Sequence, residues 1–137
     1  MTPETASLPI LLASLEPVLQ PGVWAYAQLP QGADPGSLQP LACFREAEGW
    51  TVIVTEGCAQ TAGLDIRFRA AWITLTVHSA LDGIGLTAAF ATALARAGIA
   101  CNVMAGVCHD HLFVPVEHAA AALACLQALQ QNAAATP

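Results

Sequence analysis

Lysine is absent from this chain, and its only fixed positive charges are four arginines set against ten aspartates and glutamates. A protein that tracks nucleic-acid phosphates needs a concentration of cations that is not available here. An anionic membrane surface is disfavoured for the same reason. The formal charge of −6 and a pI near 4.9 point the same way. Without lysine the phosphate-cradling Gly-x-x-x-x-Gly-Lys loop cannot be built; neither Gly-x-Ser-x-Gly nor His-Glu-x-x-His occurs, and Gly83-Ile84-Gly85 lacks the third glycine of a dinucleotide fingerprint. No apolar run reaches the roughly 18 to 20 residues needed to span a bilayer. The N-terminal Met-Thr-Pro-Glu-Thr-Ala is acidic and lacks the basic start of a secretion signal, so a cytoplasmic location is expected.

Cysteine is present at 43, 58, 101, 108 and 125, with no Cys-x-x-Cys. An odd number at scattered spacings describes neither a disulfide framework nor a zinc ribbon. The five are read as small buried hydrophobes. Cys108-His109-Asp110-His111 carries ligand types suited to zinc or copper, but the spacing is short and a hairpin turn uses His-Asp for its own backbone bonds. No metal or other cofactor is therefore assigned. Cys108 and His109 are neighbours on what reads as a strand end, and adjacent strand residues point to opposite faces, so no catalytic constellation emerges. Trp24, Trp50 and Trp72 read as core.

What the chain does have is apolar mass. Hydrophobic residues make up 55% of the 137 and charged residues 10%, the reverse of a disordered segment. The length allows one domain, or two small halves sharing a core. With so few charges, part of the exposed surface must be Ala, Val or Leu, and a homo-oligomer is expected.

Along the chain, residues 1–6 read as a loose tail and Ser7 as the cap of a helix over 8–16, with Pro9 in its first turn and Pro17 as its stop. Residues 23–29 read as a strand, and 30–40, rich in Gly, Pro and Gln, as a loop. Residues 41–45 and 50–55 form a hairpin pattern, followed by one or two helical turns over 58–64. In 71–77, Ile73, Leu75 and Val77 alternate with Trp72, Thr74 and Thr76, and His78 ends that strand on the half-polar face. The loop 79–85 offers Ser79 or Asp82 as cap for a helix over 84–97, with Leu86, Phe90 and Leu94 on its apolar stripe and Gly98 as its stop. Residues 99–107 alternate again, turn at Cys108-His109-Asp110, and return over 111–116. Glu117 opens an alanine-rich helix that frays after Gln131. The order strand, helix, strand, strand, helix is a ferredoxin-like unit without its last strand. Its open edge must be covered, and the first half supplies candidate strands. The expected fold is α+β, two interlocked ferredoxin-like (βαββαβ-type) halves, residues 1–65 and 66–137, with antiparallel sheets and helices on one face.

The stretch Thr76-Val77-His78-Ser79-Ala80-Leu81-Asp82-Gly83-Ile84-Gly85-Leu86, then a helix, then Ala97-Gly98-Ile99-Ala100-Cys101-Asn102-Val103, resembles an ACT domain. From His78 through Cys108-His109-Asp110-His111-Leu112-Phe113-Val114, the chain is also similar to small stand-alone bacterial proteins with a tandem ACT arrangement. The resemblance implies a regulatory fold binding a free amino acid at an interface between ACT units. It also implies that His78 and Asn102, at positions that hold the ligand in serine-sensing ACT domains, do so here. The loop Ala-Leu-Asp-Gly-Ile-Gly departs from those sensors, which have Asn and Pro and one residue fewer.

The residues support a site at the same place on physical grounds. Gly83 and Gly85 let backbone approach a ligand, and they precede a helix start whose free N–H groups and dipole favour a carboxylate. Ser79, Ile84 and Leu86 belong to the same loop and helix start. Asp82 or Asp110 can take an ammonium, and His78 and Asn102, expected side by side at the ends of adjacent strands, can orient the ligand. The expected function is a non-catalytic, amino-acid-binding regulatory protein. Two other classes remain open: a metal-dependent or thiol enzyme using His78, Cys108, His109 and His111, and a structural interaction domain without a ligand.

Overall fold

The computed structural model describes residues 7–135; the tail expected over 1–6 lies outside them. In chain order they form α1 (Leu8–Ala13), β1 (Pro17–Leu19), β2 (Trp24–Pro30), a 3-10 turn (Pro35–Leu38), β3 (Ala42–Glu46), β4 (Gly49–Thr55), α2 (Glu56–Thr61), β5 (Phe68–Leu75), α3 (Leu86–Arg96), β6 (Asn102–Ala105), β7 (Asp110–Pro115), a 3-10 turn (Val116–His118) and α4 (Ala119–Ala135). The chain divides into two compact units, one made of Pro21–Ala71 and the other of residues before and after it.

Within Pro21–Ala71 the strand order is β3-β4-β2-β5. Trp24 to Pro30 pairs antiparallel with Thr55 to Gly49, and Trp24 to Tyr26 pairs with Ala70 to Phe68. Read in sequence, β2, the 3-10 turn, β3, β4, α2 and β5 are the six elements of a ferredoxin-like unit, the first helix reduced to a single 3-10 turn. Alternation puts Ala25, Ala27, Leu29, Val52 and Val54 on one face, where Ala59 of α2 and Leu38 of the 3-10 turn pack on them. Thr55 caps α2 by accepting from the Cys58 N–H at 3.2 Å, which starts that helix two residues before the expected Cys58.

The other unit has the order β1-β5-β7-β6. Here β5, α3, β6, β7 and α4 give strand, helix, strand, strand, helix, and the missing fourth strand is β1, from the far end of the chain. Pro17, Val18 and Leu19 pair antiparallel with Leu75, Thr74 and Ile73. The threading is thus interlocked: β5 gives residues 68–70 to one ladder and 73–75 to the other. Leu15, Ile73, Leu75, Phe90, Leu94, Leu112, Val114 and Leu126 are fully buried and form this unit's core.

Several boundaries differ from expectation for local reasons. Helix α1 stops at Ala13 rather than residue 16, because Glu16 turns into the left-handed region at φ 47. Its backbone N–H bonds Gln130 Oε1 at 3.0 Å, while Gln130 Nε2 donates to the Ala13 carbonyl at 3.0 Å and to Glu16 Oε1 at 2.8 Å. That clamp explains why α4 does not fray after Gln131 but continues to Ala135. Strand β6 spans only Asn102–Ala105, because the Gly106 N–H bonds the His109 carbonyl at 2.9 Å and turns the chain out of the ladder. The cysteines are not all buried: Cys43 and Cys108 are exposed and the other three half-buried, all as free thiols. Burial pushes the Cys101 thiol up to about 11.

Since β1 closes the edge beside β5 and Leu15 is fully buried just before it, Leu15→Ala is expected to destabilise the protein by roughly 2–5 kcal/mol, measured by urea unfolding. A fragment of residues 66–137, deprived of α1 and β1, is expected to lack a cooperative melt.

Candidate functional site

The loop after β5 leaves the sheet through Thr76 and Val77, whose N–H groups bond the Glu16 and Leu15 carbonyls. It turns at residues 80–83, closed by the Gly83 N–H on the Ala80 carbonyl at 2.9 Å, and reaches α3 through Gly85. Gly85 itself takes the N-cap position at φ 107, with no side-chain cap bond. Neither Ser79 nor Asp82 caps α3, and the helix runs Leu86–Arg96 rather than 84–97, because the turn at 80–83 holds both side chains too far back. A helix start left uncapped keeps its first N–H groups, and about half a positive charge, available.

In front of this helix start lies a cleft of about 380 Å³, at the small end of the range for ligand pockets. Ser79, Ala80, Leu81, Asp82, Gly83 and Ile84 form one side, followed by Gly85, Leu86 and Thr87. Ala105, Gly106 and Asp110 come from the β6–β7 turn, and Leu8 and Leu11 from α1. Asp110 is the one buried ionisable residue among those described, 8% exposed, and none of the described residues hydrogen-bonds its carboxylate. Burial pushes its carboxyl above the ordinary range, and neighbouring His111 offsets this only in part.

His111, next along β7, projects from the other face. Its Nδ1 accepts from Trp72 Nε1 at 3.1 Å and lies 3.2 Å from Thr74 Oγ1, which in turn accepts from Gln20 Nε2 at 3.0 Å. Indole is only a donor, so Nδ1 is the acceptor and the proton sits on Nε2. Burial, then the nearby His109, pull this imidazole below its ordinary value, with Asp110 opposing. His111 is thereby committed to structure. His78 and His109 stack at 4.8 Å between ring centroids, tilted by 48°. The His109 Nδ1 is buried without a partner. Among the described residues no three His, Cys, Asp or Glu side chains converge in a metal-holding group.

Seven of the nine residues singled out from the sequence, Ser79, Asp82, Gly83, Ile84, Gly85, Leu86 and Asp110, line the cleft; His78 and Asn102 are not among its lining. Nor do those two sit on adjacent strands, since β7 runs between β5 and β6. A ferredoxin-like order places the third strand, not the second, beside the first, so the expected side-by-side placement of His78 and Asn102 does not hold. Of the lining residues outside those nine, Ala80, Leu81, Thr87, Ala105 and Gly106 neighbour the predicted ones in the loop, helix start or β6–β7 turn, whereas Leu8 and Leu11 come from the other end of the chain. Their only local signal is a short apolar run far from the loop, and nothing but the chain's threading brings α1 to it.

The architecture is that of a tandem ferredoxin-like α+β protein, two βαββαβ units that share one strand. The chain matches the ACT domain family over residues 4–71 and again over 67–128, the two matches overlapping at the start of β5. A crystal structure from Vibrio cholerae, described as a protein of unknown function and possible transport protein, is 47% identical. It covers 90% of this chain and 96% of its own, with a TM-score of 0.82. An Agrobacterium tumefaciens protein shares the fold at 16% identity, with a TM-score of 0.66 over 83% of this chain and 87% of that one. The regulatory subunit of aspartate kinase from Thermus flavus shares it at 14% identity, with a TM-score of 0.60 over 82% and 95%. No curated protein matches. This chain belongs to the ACT domain family.

A buried carboxylate without a partner stabilises the fold most when protonated. Its raised value means the folded chain holds the proton more tightly than the unfolded chain, so this group's penalty is present at neutral pH and disappears as pH falls through that value. Asp110→Asn is therefore expected to raise the melting temperature of the free protein by a few degrees at pH 7, with the gain shrinking at acid pH. For His111 the sign is opposite: the stability it contributes is present above pH 6.5 and lost as pH falls through its lowered folded value. Nitrogen-15 shifts of the imidazole should report the Nε2–H tautomer at pH 7.

Proposed function

We propose that this protein is a non-catalytic regulatory module that binds a free amino acid in the cleft between the α3 start and Asp110, and that it acts in the cytoplasm as a homo-oligomer. The observation that carries this reading is Asp110, a carboxylate nine-tenths buried and unpartnered in a cleft whose opposite polar feature is an uncapped helix start. A carboxylate so placed has lost much of its water without gaining a counter-charge, which costs stability. An α-ammonium on Asp110 and an α-carboxylate on the N–H groups at the head of α3 would satisfy both ends with one small zwitterion. His78, stacked on His109, and Asn102, at the start of β6, lie outside the cleft's lining and are given no contact with the ligand. The shared fold of aspartate kinase regulatory subunits supports a regulatory role.

The oligomer follows from surface composition. Val107 and Phe44, neither of them in the cleft, are 81% and 65% exposed. Large apolar side chains so placed are covered when a second copy docks. Light scattering at micromolar concentration is expected to give at least a dimer, and a strict monomer would contradict it. The ligand test is a thermal-shift screen against the twenty amino acids, since a ligand at about 100 times its Kd adds ~2.7 kcal/mol to stability. A shift of several degrees is expected from at least one free amino acid, and none from its N-acetyl or amide derivative. It should vanish in Asp110→Asn, and silence from all twenty would sink the reading.

A further inference from the structure

We propose that the cleft selects an aliphatic side chain on the bound amino acid, and that Leu8 and Leu11 of α1 are the residues that read it. This rests on the amino-acid reading above and adds what that reading leaves open. The cleft's groups suited to the zwitterion are the helix head and Asp110. The remaining walls are chiefly apolar: Leu8 and Leu11 from α1, and Leu81 and Ile84 from the loop. Leu81 and Ile84 stand largely in solvent, so apolar surface at the cleft is left to be covered by whatever enters.

Charge points the same way. No arginine lines the cleft, whereas Asp82 and Asp110 do, so an acidic side chain would meet like charge without a cation to receive it. The wall facing the ligand is also held in place. A Cβ built at Gly85 would stand 3.0 Å from Leu8 Cδ2, which means that α1 sits directly on the loop. The C-terminal end of α1 is tied to α4 by the bond from Gln130 Nε2 to the Ala13 carbonyl. A positioned apolar wall in a cleft of about 380 Å³ discriminates by filling: hydrophobic pockets separate ligands that differ by one methylene by roughly 10 to 200 fold.

The experiment is calorimetric titration of the full chain with leucine, isoleucine, valine, methionine, alanine, serine, aspartate and lysine. Wild type is compared with Leu11→Ala, Leu8→Ala and the volume-increasing Leu11→Phe, and circular dichroism confirms that each folds. The four larger aliphatic ligands are expected to bind at least about tenfold tighter than serine, with aspartate silent. Leu11→Ala or Leu8→Ala should weaken leucine by about tenfold or more and leave alanine and serine nearly unchanged, collapsing the selectivity. Leu11→Phe should shift preference toward alanine and valine. Tightest binding of serine, or of lysine through Asp82, would overturn the aliphatic selection and leave the amino-acid site standing, as would equal losses for every ligand in the leucine variants. If no amino acid binds wild type, both readings fail together.

Discussion

Everything in the larger unit depends on the edge of β5. A strand, helix, strand, strand, helix sequence leaves one side of its first strand with unpaired N–H and C=O groups, a state that native proteins cover. Here three residues at the other end of the chain, Pro17–Leu19, pair with Leu75 to Ile73 and finish the ferredoxin-like order. That pairing has consequences beyond the ladder. It draws Leu15 into the core, it places Glu16 where Gln130 of α4 can clamp it, and it sets α1 over the loop that leads to α3. Without β1 the sheet would lack its edge strand, and the cleft the wall that α1 supplies.

The cleft spends stability that the sheet supplies. Its loop uses Gly85 in a left-handed conformation in place of a capping side chain, and it faces a carboxylate that burial makes costly to ionise. One residue further along the strand, His111 is locked by Trp72 and Thr74 into a neutral tautomer. Two adjacent residues on β7 thus have opposite economies: His111 is fully engaged by its neighbours, and Asp110 is left without one. Local violations of otherwise consistent packing are where function is sought.

Much of this was legible in the residues. The alternation in β5 and β6, the apolar stripe of Leu86, Phe90 and Leu94, the hairpin of β3 and β4, and the loop with two glycines before a helix are each local, and period and turn chemistry fix them without reference to the rest of the chain. The same locality explains the errors of detail. Whether Ser79, Asp82 or Gly85 heads α3 depends on a turn bond at 80–83. Where α4 ends depends on Gln130 meeting α1, more than a hundred residues away in sequence.

By itself, then, the sequence determined the fold class and the position of the loop and helix start, because those rest on contacts within a few residues. Only the tertiary structure decided which strand lies beside β5, that His78 and Asn102 are separated by β7, and that Leu8 and Leu11 form a wall of the cleft. Such pairings join segments dozens of residues apart, and their free energy comes from closing an edge and filling a core. No local pattern of residues encodes either before the chain has folded.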